Sequence, residues 1–171
     1  MDAWVNTYTG KKFSFVNPRP EDICIEDIAH HLSNICRFNG AVREFYSVAQ
    51  HSILVCNHVN EKNKAWGLLH DAAEAYISDL PSPIKQLSGM YNYRIIENAI
   101  LECVAERFGL LKEIPDEVLG ADLIALYTEA EKLGVNHSGW AKRVELNAPL
   151  VLCSPKVAEK MFLNLFYRYV K

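Results

Sequence analysis

The chain has no cysteine pair in CxxC spacing, and its five cysteines (Cys24, Cys36, Cys56, Cys103 and Cys153) are scattered and odd in number. That pattern suggests neither a disulfide framework nor a zinc ribbon and predicts reduced, buried thiols. There is no apolar core near the N-terminus and no uninterrupted apolar run of about 18 residues, so neither a signal segment nor a membrane span is expected. No block of one charge sign occurs either. Eighteen Lys and Arg against 21 Asp and Glu leave a net charge of −3, which argues against a duplex nucleic-acid binder but leaves room for a small basic pocket. Internal repeats, low-complexity tracts and linkers are also missing. These absences predict one soluble cytoplasmic domain over residues 1–171, with no membrane partner.

What the chain does contain is helical periodicity. Half of its residues are apolar and 23% are charged, an ordinary globular balance. Residues 1–22 are the least regular: a turn over 7–12, one short strand from Lys12 to Val16, then a stop at Asn17-Pro18-Arg19-Pro20. Ile25, Ile28, Ala29, Leu32, Ile35 and Cys36 mark a helical face, with His30 and His31 beside it as partly exposed residues. Gly40 reads as the αL terminator of that helix. Ser47 reads as the N-cap of the next, which carries His51 near its apolar stripe and His58 as a core residue. Tyr91 to Phe108 reads as a long helix ended by Gly109. Pro115 suits the first turn of another, which carries Asp122 among apolar neighbours, while Asp116 and Glu129 read as solvated. Ser154-Pro155 starts a last helix. The expected fold is an all-α bundle with an irregular N-terminal segment.

One stretch stands out: Leu68-Leu69-His70-Asp71-Ala72-Ala73-Glu74. Ala65, Leu68, Leu69, Ala72, Ala73 and Tyr76 follow i, i+3, i+4, i+7 spacing and predict an amphipathic helix interrupted at its centre by His70 and Asp71. Burying an imidazole and a carboxylate there is costly unless they are paired or bound to a cation. Glu74 projects from the adjoining turn on nearly the same face. Directly afterwards, two prolines in Asp79-Leu80-Pro81-Ser82-Pro83-Ile84-Lys85 predict a stiff extended loop that delivers Asp79 and Lys85 near the same end. Arg37 and Phe38, at a helix-to-loop junction, are able to grip phosphate and to stack on a base or sugar. Their bland reading is a dipole-facing Arg beside a core Phe.

Four awkward polar residues, His51, His70, Asp71 and Asp122, fall on three helices at or near buried stripes. Two imidazoles and two carboxylates suit one divalent transition metal with positions left for water and substrate. The order of a His, an adjacent His-Asp pair and a distant Asp resembles the HD-domain metal-dependent phosphohydrolases. It is most similar to the small bacterial and phage branch related to the 5′-deoxynucleotidases. The resemblance covers nearly the whole chain, through Arg37-Phe38, Tyr46 to Ser52, Leu69 to Glu74, Asp79 to Lys85, and Ala121-Asp122.

The resemblance implies a single HD-domain helical bundle in which His51, His70, Asp71 and Asp122 bind zinc, cobalt, manganese or iron, with room for a second divalent ion such as magnesium. It implies that Glu74 and Asp79 serve water activation and proton transfer, and that Arg37, Phe38 and Lys85 bind substrate. Phe38 stands where the deoxynucleotidases usually carry Trp, and the segment from Arg37 to His51 is one residue shorter than theirs. Both departures bear on base and sugar recognition. The implied activity is hydrolysis of deoxynucleotides such as dATP, dADP and dAMP to the deoxynucleoside. The alternatives are a deoxynucleotidase restricted to monophosphates and a non-catalytic nucleotide sensor. A cyclic-nucleotide or cyclic-dinucleotide phosphodiesterase is disfavoured, because the Gly-Tyr-Pro element of one such branch is absent. Trp4, Trp140 and the irregular 132–151 segment, which also carries His137, supply apolar material for a homo-oligomeric contact or a lid.

Overall fold

In the computed structural model, residues 3–135, 146 and 149–170 are described. Eight helices carry most of them: α1 Ile25–Asn34, α2 Val48–Asn57, α3 Lys64–Leu69, α4 Glu74–Ile77, α5 Ser82–Lys85, α6 Tyr91–Phe108, α7 Asp116–Lys132 and α8 Pro155–Tyr169. His137, Trp140 and most of the 132–151 segment lie outside the described residues. Helices dominate as expected, and the irregular N-terminal segment holds one strand more than the sequence predicts. Lys12–Ser14 (β2) is a strand as expected, but it pairs antiparallel with Trp4–Asn6 (β1), with Val5 opposite Phe13. A three-residue strand is too short to leave a periodic signal. The hairpin is held down by Phe13, which is fully buried and stacks on Tyr76 with ring centroids 4.0 Å apart.

The bundle is built around α2, in which every residue from Val48 to Cys56 is buried. It is buried on every face although it carries Gln50, His51 and Ser52, and α1, α3, α7 and α8 all pack against it. Ser47 starts it as expected, with a full capping box: the Ser47 hydroxyl accepts from Gln50 N, and the Gln50 side chain accepts from Ser47 N. Such a cap contributes about 1 kcal/mol. Ile28, Leu32, Val48, Leu68, Leu69, Ile100 and Phe162 form the main core with no exposed surface, each contributing roughly 1.5–3 kcal/mol. A second cluster joins Leu54, Val55 and Trp66 to Val118, Ala121 and Ala125 of α7. The two alanines let α7 approach α2 closely.

Gly67 does the same for α3. A Cβ there would lie 2.9 Å from Val59 Cγ2 and 3.0 Å from Cys56 Cα, so the bare backbone is what allows α3 to lie against the end of α2.

Several local readings are corrected. The expected continuous central helix ends at Leu69 and resumes at Glu74. Between them the N–H groups of Ala72, Glu74 and Ala75 reach back three residues, to Leu69, Asp71 and Ala72, in the tighter 3₁₀ manner. Helix α1 stops at Asn34, before Gly40, and Cys36 forms an antiparallel bridge with Ser47. Gly40 instead closes a left-handed run of Phe38, Asn39 and Gly40, at φ of 54°, 52° and 78°. Pro83 sits in the first turn of the short α5, so Lys85 arrives on a helical turn rather than an extended loop. Pro115 sits just outside α7, at its N-cap. His58 is exposed at the end of α2, its Nδ1–H donating to Leu54 O. The five thiols are free, but only Cys56 is buried. No helix among the described residues is long and apolar enough to cross a membrane.

Candidate metal centre and cleft

His51 comes from the middle of α2 and has no exposed surface. His70 and Asp71 come from the 3₁₀ turn after α3. One ligand atom from each of these three residues lies within 4.8 Å of the others, and the group could hold a metal ion. The two imidazole Nε2 atoms are 3.2 Å apart. Asp71 Oδ2 lies 3.5 Å from the first and 3.3 Å from the second. Asp122, on α7, faces the same point: its Oδ1 is 3.0 Å from His51 Nε2 and 3.9 Å from His70 Nε2, and its side chain is 39% exposed.

Hydrogen bonds behind the rings fix which nitrogens are available. His70 Nδ1–H donates to the Gly67 carbonyl at 3.0 Å. His51 Nδ1–H donates to Glu129 Oε1 at 2.7 Å. A carbonyl and an ionised carboxylate only accept, so both Nδ1 atoms carry protons and both Nε2 lone pairs point at one spot. Positive charge is required there. Without a cation it comes from a proton on His51. Burial and Arg37 work to lower the His51 pKa, but the Glu129 and Asp122 carboxylates outweigh them and push it up to about 10. Burial resists ionisation of Asp122, yet its hydrogen bond with His51 and the charges of His51, His70 and Arg37 hold its carboxyl well below the usual range.

Glu129 reverses a sequence expectation. It has no exposed surface. Besides His51, its Oε1 accepts from Tyr46 OH at 3.0 Å, and its Oε2 lies 3.0 Å from Arg37 Nη2. Burial alone would raise its pKa, but Arg37 and His51 hold it below the ordinary value. Glu129 is seven residues after Asp122, two turns along the same helix face, and that spacing is the signal that could have found it.

The remaining expected residues line one cleft. Arg37, Phe38, Asp71, Glu74, Asp79, Lys85 and Asp122 surround a cavity of about 190 Å³. Arg37 is delivered by the bridge closing the 36–47 loop, where its N–H donates to Tyr46 O. Its guanidinium lies 5.5 Å from the Phe38 ring centre, and Nη1 is 3.9 Å from Asp71 Oδ2. Burial opposes the Arg37 charge, but Glu129, Asp71, Asp79 and Asp122 raise its pKa further.

Glu74 is 4% exposed and pairs through Oε1 with Lys85 Nζ at 2.9 Å. Its Oε2 has no hydrogen-bond partner among the described residues. Burial, then Asp71 and Asp79, push the Glu74 carboxyl well up, against the pull of Lys85. Burial also raises Asp79, against Arg37. Lys85 reaches a second carboxylate that the sequence reading did not pick out, Glu97 of α6, at 2.7 Å. A larger cavity of about 260 Å³ beside α2 and α8 is walled by residues such as Ile53, Leu54, Leu150 and Met161, with no acidic side chain among its described lining. The polar chemistry is concentrated in the smaller cleft.

No family model matches the chain. It is 41% identical over 134 residues to the uncharacterized protein YfdR of Escherichia coli, an alignment spanning 78% of this chain and 74% of that protein. It is 32% identical over 155 residues to the uncharacterized protein RCAP_rcc00048 of Rhodobacter capsulatus, spanning 83% and 79%. The chain belongs to the family of these two proteins.

Proposed function

We propose that this member of the family is an HD-type, metal-dependent nucleotide phosphohydrolase that converts deoxynucleotides such as dATP, dADP and dAMP to the deoxynucleoside. One observation carries the reading: two imidazole Nε2 atoms with committed Nδ1 protons face each other 3.2 Å apart, beside Asp71 and Asp122, whose carboxylates line a cleft that also holds an arginine and a lysine. Two imidazole nitrogens with Asp71 and Asp122 oxygens suit zinc, cobalt, manganese or iron. When bound, such an ion supplies Lewis-acid polarisation of a phosphoryl oxygen and a more acidic water.

The chain's own residues do the rest. Arg37, whose guanidinium edge lines the cleft, and Lys85 neutralise charge spread over the phosphoryl oxygens. Glu74 Oε2, buried and unpartnered, accepts a proton from the attacking water, and its raised pKa brings it toward the range where a general base works well. As the new oxygen–phosphorus bond forms at the α-phosphorus, the bond to the sugar oxygen breaks. Asp79, which lines the same cleft, supplies the proton that this oxygen takes. Phe38 offers a ring face to the base or sugar.

The test is product analysis. The protein is stripped and reloaded with cobalt, manganese, zinc or magnesium, then incubated with deoxy- and ribonucleoside mono-, di- and triphosphates. Deoxynucleoside with intact triphosphate from dATP is the expected result. Turnover of monophosphates alone narrows the activity to that of a deoxynucleotidase. Tight nucleotide binding with no turnover under any metal overturns the enzymatic reading.

A further inference from the structure

The buried Glu129 has no role in the chemistry above, yet it touches three of the groups that build the site. Its Oε1 takes the Nδ1–H of His51 at 2.7 Å and the hydroxyl of Tyr46 at 3.0 Å, and its Oε2 lies 3.0 Å from Arg37 Nη2. It has no exposed surface, so it reaches neither substrate nor solvent. A carboxylate buried this deeply is costly unless it is charge-paired and hydrogen-bonded. Arg37 supplies the pairing charge, while His51 and Tyr46 supply the hydrogen bonds. An apolar residue at this position would avoid that cost but would leave the His51 Nδ1–H without an acceptor.

We propose that Glu129 is a positioning residue of the metal centre: it fixes His51 in the tautomer and ring orientation that present Nε2 to the cation, and Tyr46 and Arg37 hold it in place to do so. This inference rests on the metal reading of the cluster and deepens it. A carboxylate behind a ligating imidazole orients the ring and raises its basicity as a ligand. Arg37 thereby joins two tasks: one edge of its guanidinium neutralises Glu129 and the other faces the cleft near Asp71.

Glu129→Gln tests this at nearly constant volume. The amide cannot satisfy both sides. With its oxygen toward His51 and Tyr46, its NH₂ opposes the Arg37 donors. Turned round, its NH₂ faces His51 Nδ1 and favours the tautomer with the proton on Nε2, which cannot ligate. The measurement is cobalt affinity by competition with a chromophoric chelator, with circular dichroism reporting the fold. The expected result is a folded variant whose cobalt affinity falls by roughly 10–100-fold. A folded Glu129→Gln protein with wild-type cobalt affinity overturns the proposal and leaves the metal reading standing. A wild-type protein that takes up no cobalt overturns the metal reading itself. If the variant does not fold, nitrogen NMR of the imidazoles in the zinc-loaded wild-type chain decides. His51 protonated at Nδ1 and ligating through Nε2 is expected, and ligation through Nδ1 overturns the proposal.

Discussion

Lys85→Met removes one ammonium while keeping most of the side-chain volume. That ammonium sits 2.9 Å from Glu74 Oε1 and 2.7 Å from Glu97 Oε1, in side chains that are 20%, 5% and 18% exposed. Exposed pairs contribute about 0–1 kcal/mol, and stripping one partner from a fully buried pair costs about 3–5 kcal/mol. The burial here lies nearer the second limit, with some solvent left on the lysine, so a loss of about 2–3 kcal/mol is expected. At roughly 2–4 °C per kcal/mol for a chain of this size, Tm falls by about 4–12 °C.

The pH dependence gives the sharper test. Burial, Asp71 and Asp79 raise the Glu74 carboxyl above its ordinary 4.5, and Lys85 opposes them. A carboxyl with a raised folded pKa contributes most below its unfolded value and loses that contribution as pH rises through the folded one. Without Lys85 the carboxyl rises further, so the stability gap between variant and wild type opens as pH climbs above 4.5 and closes in acid. Urea unfolding followed by circular dichroism across that range measures the gap. A variant within about 0.5 kcal/mol of wild type throughout, the range of an ordinary surface substitution, would refute the assignment of Lys85 as the charge that keeps Glu74 ionisable.

Other outcomes follow from the same geometry. Asp71→Ala abolishes both metal retention and turnover, whereas Glu74→Ala keeps the metal and loses most turnover; full activity in Glu74→Ala would show that another group is the base. In chelator, the His51 contribution to stability is fully present below its unfolded value of 6.5 and is lost as pH rises toward about 10. Cobalt loading flattens this profile because the ligating nitrogen no longer carries a proton, and identical urea profiles with and without cobalt would contradict the site. Gly67→Ala drives a Cβ to within 2.9 Å of Val59 Cγ2 and 3.0 Å of Cys56 Cα, and it is expected to cost about 1–3 kcal/mol in a thermal melt.

The sequence made some of this architecture legible for definite reasons. His51, Asp71 and Asp122 stood out because a titratable group on or beside an apolar stripe needs a partner, and the structure brings all three to His70. Glu129 escaped because it sits near the polar end of α7, where Glu131 and Lys132 make a solvated reading natural. Its spacing from Ala121, Asp122 and Ala125 on the same helix points inward. The break at His70 to Ala73 carried no glycine or proline, and an apolar pattern does not separate α from 3₁₀ hydrogen bonding over four residues. The left-handed run at Phe38 and Asn39 lies in the loop closed by the bridge between Cys36 and Ser47, a conformation that the local preference of a phenylalanine does not favour. Trp4, expected to contribute an oligomer contact, is 44% exposed at the edge of the hairpin.

The most direct test of the central claim is turnover of dATP in heavy-oxygen water by the cobalt-loaded protein, with both products analysed by mass spectrometry. Water attack at the α-phosphorus predicts that the label appears in the released triphosphate and not in the deoxyadenosine. Label in the nucleoside, or cobalt bound with dATP left intact, would contradict the account.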